Sequence, residues 1–149
     1  MEERREEGFT LVELMIVVLI IAILITLAMA TFPAARGRAQ DRAAQADVRN
    51  ALSAEKAHFA DRQAYTQVGA ELAAIEPSLT FDAAADQAPT AGSVAYAASG
   101  TTVTLATRSA TGTCFYVRDT ATSGTTYLRN TDCDQPSAPT GAFTATGWQ

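Results

Sequence analysis

A single histidine and two cysteines are all that this chain of 149 residues offers for metal or thiol chemistry. With no C-x-x-C pair and no second cluster, a four-ligand zinc site is not expected. Asp132 and Asp134 flank Cys133, but two acids in a turn are more often solvent-facing than a calcium loop. The chain also lacks G-x-x-x-x-G-K-[ST] and G-x-G-x-x-G loops to cradle phosphates, and a G-x-S-x-G nucleophile elbow. His58, between Ala57 and Phe59, has no poised nucleophile in its sequence surroundings. An enzyme is therefore not expected, and neither a cofactor nor a catalytic or metal-binding residue is assigned.

Basic residues are scarce too. Eleven Lys and Arg against sixteen Asp and Glu give a net charge of −5, which argues against a nucleic-acid-binding surface. Beyond Pro33 the chain is rich in Ala, Thr, Ser, Asp and Gly and poor in large aliphatics, so a soluble core must be thin and needs a staple. The length leaves room for one ordinary domain plus one long helix.

Against these shortages stands Gly8 to Phe32, a small residue, a polar turn, one acid and then unbroken hydrocarbon. From Leu14 to Phe32 only Thr26 and Thr31 carry polar side-chain groups. A helix over that run would be about 28 Å long and could cross a bilayer core. Glu13 heads the run, where a charge is expensive, up to roughly 3 kcal/mol at mid-bilayer and less towards the edge. An acid kept there needs a partner. Cleavage of the Gly8–Phe9 bond would create one, because the new Phe9 amine would lie one helical turn from Glu13.

The stretch G-F-T-L-V-E followed by a long apolar helix resembles the leader and N-terminus of type IV prepilins, closely over residues 8–32. The run RGRAQDRAAQADVRNAL continues in the style of bacterial major pilins. In that family a prepilin peptidase cuts after the glycine and methylates the new amine. The resemblance thus implies cleavage between Gly8 and Phe9, N-methylation of Phe9, and Glu13 as the assembly residue. Where many pilins carry a glycine and a proline in the membrane half, this chain has Ala22 and Ala30, with Pro33 slightly later. The implied function is a structural subunit polymerised into surface filaments for adhesion, motility or DNA uptake. Its partners are further copies in a helical homopolymer, prepilin peptidase, the inner-membrane pilus assembly machinery and, before assembly, lipid. It would cross the cytoplasmic membrane once and then move into an extracellular pilus. A type II secretion pseudopilin shares this N-terminus and is the alternative. A secretory signal cut after Ala28-Met29-Ala30 is disfavoured because the apolar run exceeds the usual 7–15 residues and an acid stands at its head; a non-polymerising anchor or binding module does not account for a glycine five residues before a lone acid.

With an export-type N-terminus, the even cysteine count reads as a disulfide between Cys114 and Cys133. Closing a loop of about 20 residues contributes roughly 3 kcal/mol. Arg36, Arg38 and Arg42 follow the apolar run, and basic residues alone would favour the opposite orientation. The cysteine pair, which wants an oxidising side, decides for export.

The expected architecture is α+β, a long N-terminal helix packed against a C-terminal antiparallel β-meander. Residues 1–8 form a leader, 9–33 the membrane or filament-core half of the helix, 34–62 its amphipathic half and 63–149 the head. Pro33 should kink or unwind the helix near residues 29–33, with helix resuming at Ala34. Ala44, Val48, Leu52 and Phe59 form an apolar stripe, and charges including Asp41, Asp47, Arg49, Glu55 and Lys56 decorate the remainder. Residues 69–75 suit a short helix and Leu79–Phe81 a brief strand. From Ser93 the period becomes two, in four Thr-, Val- and Tyr-rich runs separated by Ser99-Gly100, Thr111-Gly112 and Ser123-Gly124. Val94, Tyr96, Ala98, Val103 and Leu105 should face the helix stripe. The tail from Gln135 reads as loop, with Phe143 and Trp148 as docked apolar plugs.

Overall fold

The computed structural model describes residues 8–82 and 86–148, without the side chains of residues 30 and 31. The expected leader therefore lies, Gly8 apart, outside the described residues, as do three alanines of the loop expected after the brief strand. The chain divides into two compact units, Met1–Arg36 and Gly37–Gln149.

Helix α1 covers Leu11–Arg62. The unwinding expected near residues 29–33 is a correction, since helix is continuous through Pro33. Proline there removes one N–H, the one that would bond the Met29 carbonyl, and the turns on either side keep their own bonds. In the second unit, Gly69–Ile75 forms α2. A sheet follows, with β1 (Phe81–Asp82), β2 (Val94–Ser99), β3 (Thr102–Arg108), β4 (Cys114–Thr120) and β5 (Gly124–Asn130) in spatial order β1-β2-β3-β4-β5. The last four form the antiparallel meander. The brief strand sits one or two residues later than expected and pairs parallel to β2, Phe81 opposite Val94.

Two residues, Gly100 and Thr101, join β2 to β3, with Ser99 opposite Thr102. Gly100 has φ +56°, the left-handed value that the first position of a tight hairpin turn demands and that glycine adopts without a Cβ clash.

Alternation along the strands sends side chains to two faces. Val94, Tyr96 and Ala98 of β2, Val103 and Leu105 of β3, and Val117 of β4 bury against Val48, Ala51, Leu52 and Ala54 of α1. The opposite face carries a smaller cluster of Ala106, Cys114, Tyr116 and Leu128, covered by Cys133 and Phe143. Much of the helix-facing cluster is alanine and valine, so each site of burial there contributes less than a core of leucine and phenylalanine would.

The tail stays bound to the sheet. Tyr116 donates its hydroxyl to the Asp134 carbonyl at 2.7 Å. Tyr127 and Thr144 exchange backbone hydrogen bonds of 2.8 Å each, adding a bridge outside β5. Trp148 stands edge-on to Tyr127 and Phe115, with centroids 4.8 and 5.8 Å away, while Arg49 lies 4.7 Å above its ring. Its indole N–H donates to the Tyr116 carbonyl at 2.9 Å.

Candidate processing and assembly segment

The N-terminal unit presents its hydrocarbon on every side. Leu11–Met29 is a run of 19 residues with mean hydropathy 3.1, long and apolar enough to cross a membrane. Exposure stays between 48% at Val17 and 74% at Leu11 among its large apolar side chains. A helix that is apolar all round and buried nowhere in its own chain requires lipid or other helices around it.

At its head, Thr10 caps the helix by accepting the Glu13 N–H on Oγ1 at 3.2 Å. Thr10 and Glu13 thus stand at the first and fourth positions of the T-x-x-E pattern that marks helix starts. Glu13 is also the acid of the first turn, where the helix dipole favours negative charge. Its side chain is exposed and ion-pairs with nothing among the described residues. Phe9 precedes the cap and is 84% exposed. A Cβ added at Gly8 would meet no atom of the described residues within 4 Å, so no contact among them requires glycine there.

In the second unit, Cys114 and Cys133 are joined by a disulfide with Cα atoms 5.5 Å apart. It ties the start of β4 to the segment after β5. Of the two acids beside Cys133, Asp134 is taken up locally: it accepts the Thr140 hydroxyl and the Thr140 N–H, the latter at 2.9 Å, which holds its carboxyl below the usual carboxylate range.

A buried polar cluster lies between α1 and the sheet, where the sequence reading placed only surface charge. Glu55 is a correction, being fully buried rather than decorating the helix exterior. One carboxylate oxygen accepts the Thr66 N–H at 3.1 Å, and the other has no hydrogen-bond partner. Burial pushes its pKa up to about 7, with Thr66 and His58 pulling partly back. His58 donates its Nδ1–H to the Ala64 carbonyl at 3.0 Å and sets Nε2 3.2 Å from the Glu71 carboxylate. Alongside, buried Asp119 accepts hydrogen bonds from the Tyr65 and Thr125 hydroxyls and pairs with Lys56 at 3.1 Å. Burial raises the Asp119 pKa, but its three donors outweigh burial and leave it lowered. The signal for Glu55 lay in the stripe itself, since Val48, Leu52, Glu55 and Phe59 follow helical 4-3-4 spacing. Asp119 likewise follows Phe115 and Val117 at period two.

Residues 4–29 match the family described as the prokaryotic N-terminal methylation motif. Together with the apolar helix, that match fits a type IV prepilin-like protein, a pilin or pseudopilin substrate of prepilin peptidase. The motif implies processing by that peptidase and handling by an assembly machinery, and it agrees with membrane anchoring before assembly. No curated protein matches the chain.

Proposed function

We propose that this chain is a structural, non-catalytic subunit of a type IV pilus, cut between Gly8 and Phe9, methylated on Phe9 and polymerised with copies of itself into surface filaments. The observation that carries the reading is the methylation motif at residues 4–29 leading into an apolar helix with one acid in its first turn. The chemistry follows from charge in lipid. Once freed, the Phe9 amine supplies a positive charge near the Glu13 carboxylate of its own or a neighbouring helix. An acid penalised in hydrocarbon is relieved only by a neighbour whose stagger brings an amine to it. Repeated contacts between the apolar helices then hold the fibre.

The head supports a pilin more than a pseudopilin. Its disulfide lies near the C-terminus, and Asp134, half of the acid pair that could resemble a pseudopilin calcium loop, is occupied by Thr140. The mass of the N-terminal peptide from sheared surface material tests the cut: methylated Phe9 is expected, and a start at Met1 or Thr31 would sink the proposal. Glu13→Ala should leave insertion and cleavage largely intact while fibre yield drops at least about tenfold, a factor equivalent to 1.4 kcal/mol per subunit added. Glu13→Gln should behave alike, since an amide offers no charge to the amine. Normal fibre from both variants would favour a plain membrane anchor instead.

A further inference from the structure

The sheet face turned away from α1 is covered unevenly. Cys133 and Phe143 shield the cluster around Tyr116 and Leu128. A cavity of about 480 Å³ opens over the β2–β3 end, where Ala97, Thr104 and Arg118 stand opposite one another across three strands. Pro136 and Ser137 of the tail form one wall. Gln67 forms another, its side-chain amide donating to the Ala98 carbonyl on β2. Small-molecule sites typically enclose about 300–1,000 Å³, so the space suits a ligand of one or two sugar rings.

Among the described residues, Arg118 is the only charged side chain lining this cavity. Its Nε–H donates to Thr104 Oγ1 at 3.1 Å, and its guanidinium lies 4.2 Å from the Phe143 ring centroid. One edge and one face of the cation are therefore fixed. No carboxylate pairs with it and no acceptor takes its Nη1 or Nη2 protons among the described residues. Thr104 is itself buried, at 5% exposure, and its hydroxyl proton remains available because its oxygen is the acceptor for Arg118. A guanidinium held in place before any ligand arrives loses little freedom on binding, and its free edge matches the two oxygens of a carboxylate. A phosphate dianion would call for a second cation, which the lining does not supply. Around the cation stand the hydroxyls of Ser99 and Ser137, the Thr102 oxygen, whose proton goes to Thr120 Oγ1 at 3.4 Å, and the methyl of Ala97, backed by the buried Pro136. Such a lining fits a ligand whose body carries several hydroxyl groups on a carbon frame.

We infer that this groove binds a small hydroxylated carboxylate of the uronic acid class. The carboxylate sits on the free edge of Arg118 and takes the Thr104 hydroxyl, and the ring hydroxyls meet Ser99, Thr102 and Ser137. The inference is independent of filament assembly and would stand for a plain anchored protein too. The test titrates galacturonate into the full chain held in detergent micelles, with galactose and inorganic phosphate as comparisons. Saturable galacturonate binding is expected, at least about tenfold tighter than galactose, the size of effect that a charge-assisted hydrogen-bonded pair confers. Arg118→Gln should abolish it. Because that change also strips Phe143 of its stacked partner, Ser99→Phe provides a second variant: it starts from an exposed position, blocks the groove and leaves Arg118 in place. It too should lose binding while keeping the parent melting temperature. Galacturonate binding that does not saturate, that survives both substitutions, or that galactose or phosphate equals would overturn the inference.

Discussion

Glu55 sits on α1 between Leu52 and Phe59, completely enclosed, with one oxygen on the Thr66 N–H and the other unpartnered. Its carboxyl moves from an ordinary 4.5 to about 7 because burial disfavours the charged form. The folded chain thus keeps a proton that the unfolded chain releases, and folding takes up a proton between pH 4.5 and 7. The stability this group contributes is complete below pH 4.5 and lost as pH climbs to about 7, amounting to roughly 3 kcal/mol. Glu55→Gln retains an acceptor for Thr66 and cannot ionise. It should flatten the pH dependence and make the head more stable than the parent at pH 8; denaturant unfolding at pH 4.5, 6 and 8 reads both, and an unchanged slope would move the titration elsewhere. Asp119 works in the opposite sense, as a charge whose donors are already in place. Asp119→Ala strands the Tyr65 hydroxyl and should cost about 2–3 kcal/mol at neutral pH, seen as a lower denaturation midpoint with an unchanged m-value.

Among the elements, α1, α2 and the four-strand meander were legible because each carries a strong local period bounded by breakers. The helix-facing residues followed from alternation alone. Three features were not legible, each for a physical reason. A two-residue strand has too little pattern to fix its register or its parallel direction. Pro33 marks a lost hydrogen bond but does not say whether the helix continues past it. Glu55 shares the helical spacing of the apolar stripe, but spacing alone does not separate a charge at the stripe's edge from an enclosed one, which the Thr66 N–H decides. Of the N-terminal site, Gly8, Phe9 and Glu13 stood out by composition, and the capping role of Thr10 was latent in the T-x-x-E spacing that the Glu13 N–H to Thr10 Oγ1 bond makes plain. In the tail, Gly141 has φ +121°, and a Cβ there would come within 2.8 Å of Leu128 Cδ1. Gly141→Ala should therefore push the tail off Leu128 at a cost of about 1–3 kcal/mol. Faster amide exchange at Tyr127 and Thr144 with the rest of the sheet still protected is the expected signature; uniform protection would show that the tail absorbs the methyl group.

For the head as a whole, the thin core shifts weight onto its covalent tie. Cys114→Ser should destabilise it by roughly 2–5 kcal/mol, the usual loss when a native disulfide is removed from a small domain. Thermal unfolding with and without reductant measures the loss, and a parent protein indifferent to reductant would assign stability to packing instead. The pair of backbone bonds between Tyr127 and Thr144 has a different consequence. A free strand edge invites further strands from other molecules, and the risk grows with crowding. A chain stored at high density in a membrane, awaiting use through its apolar helix, would meet that hazard continuously. By occupying the outer side of β5 with its own tail, the protein closes one route to cross-strand fibres and leaves helix contacts free to decide the form of any polymer it builds.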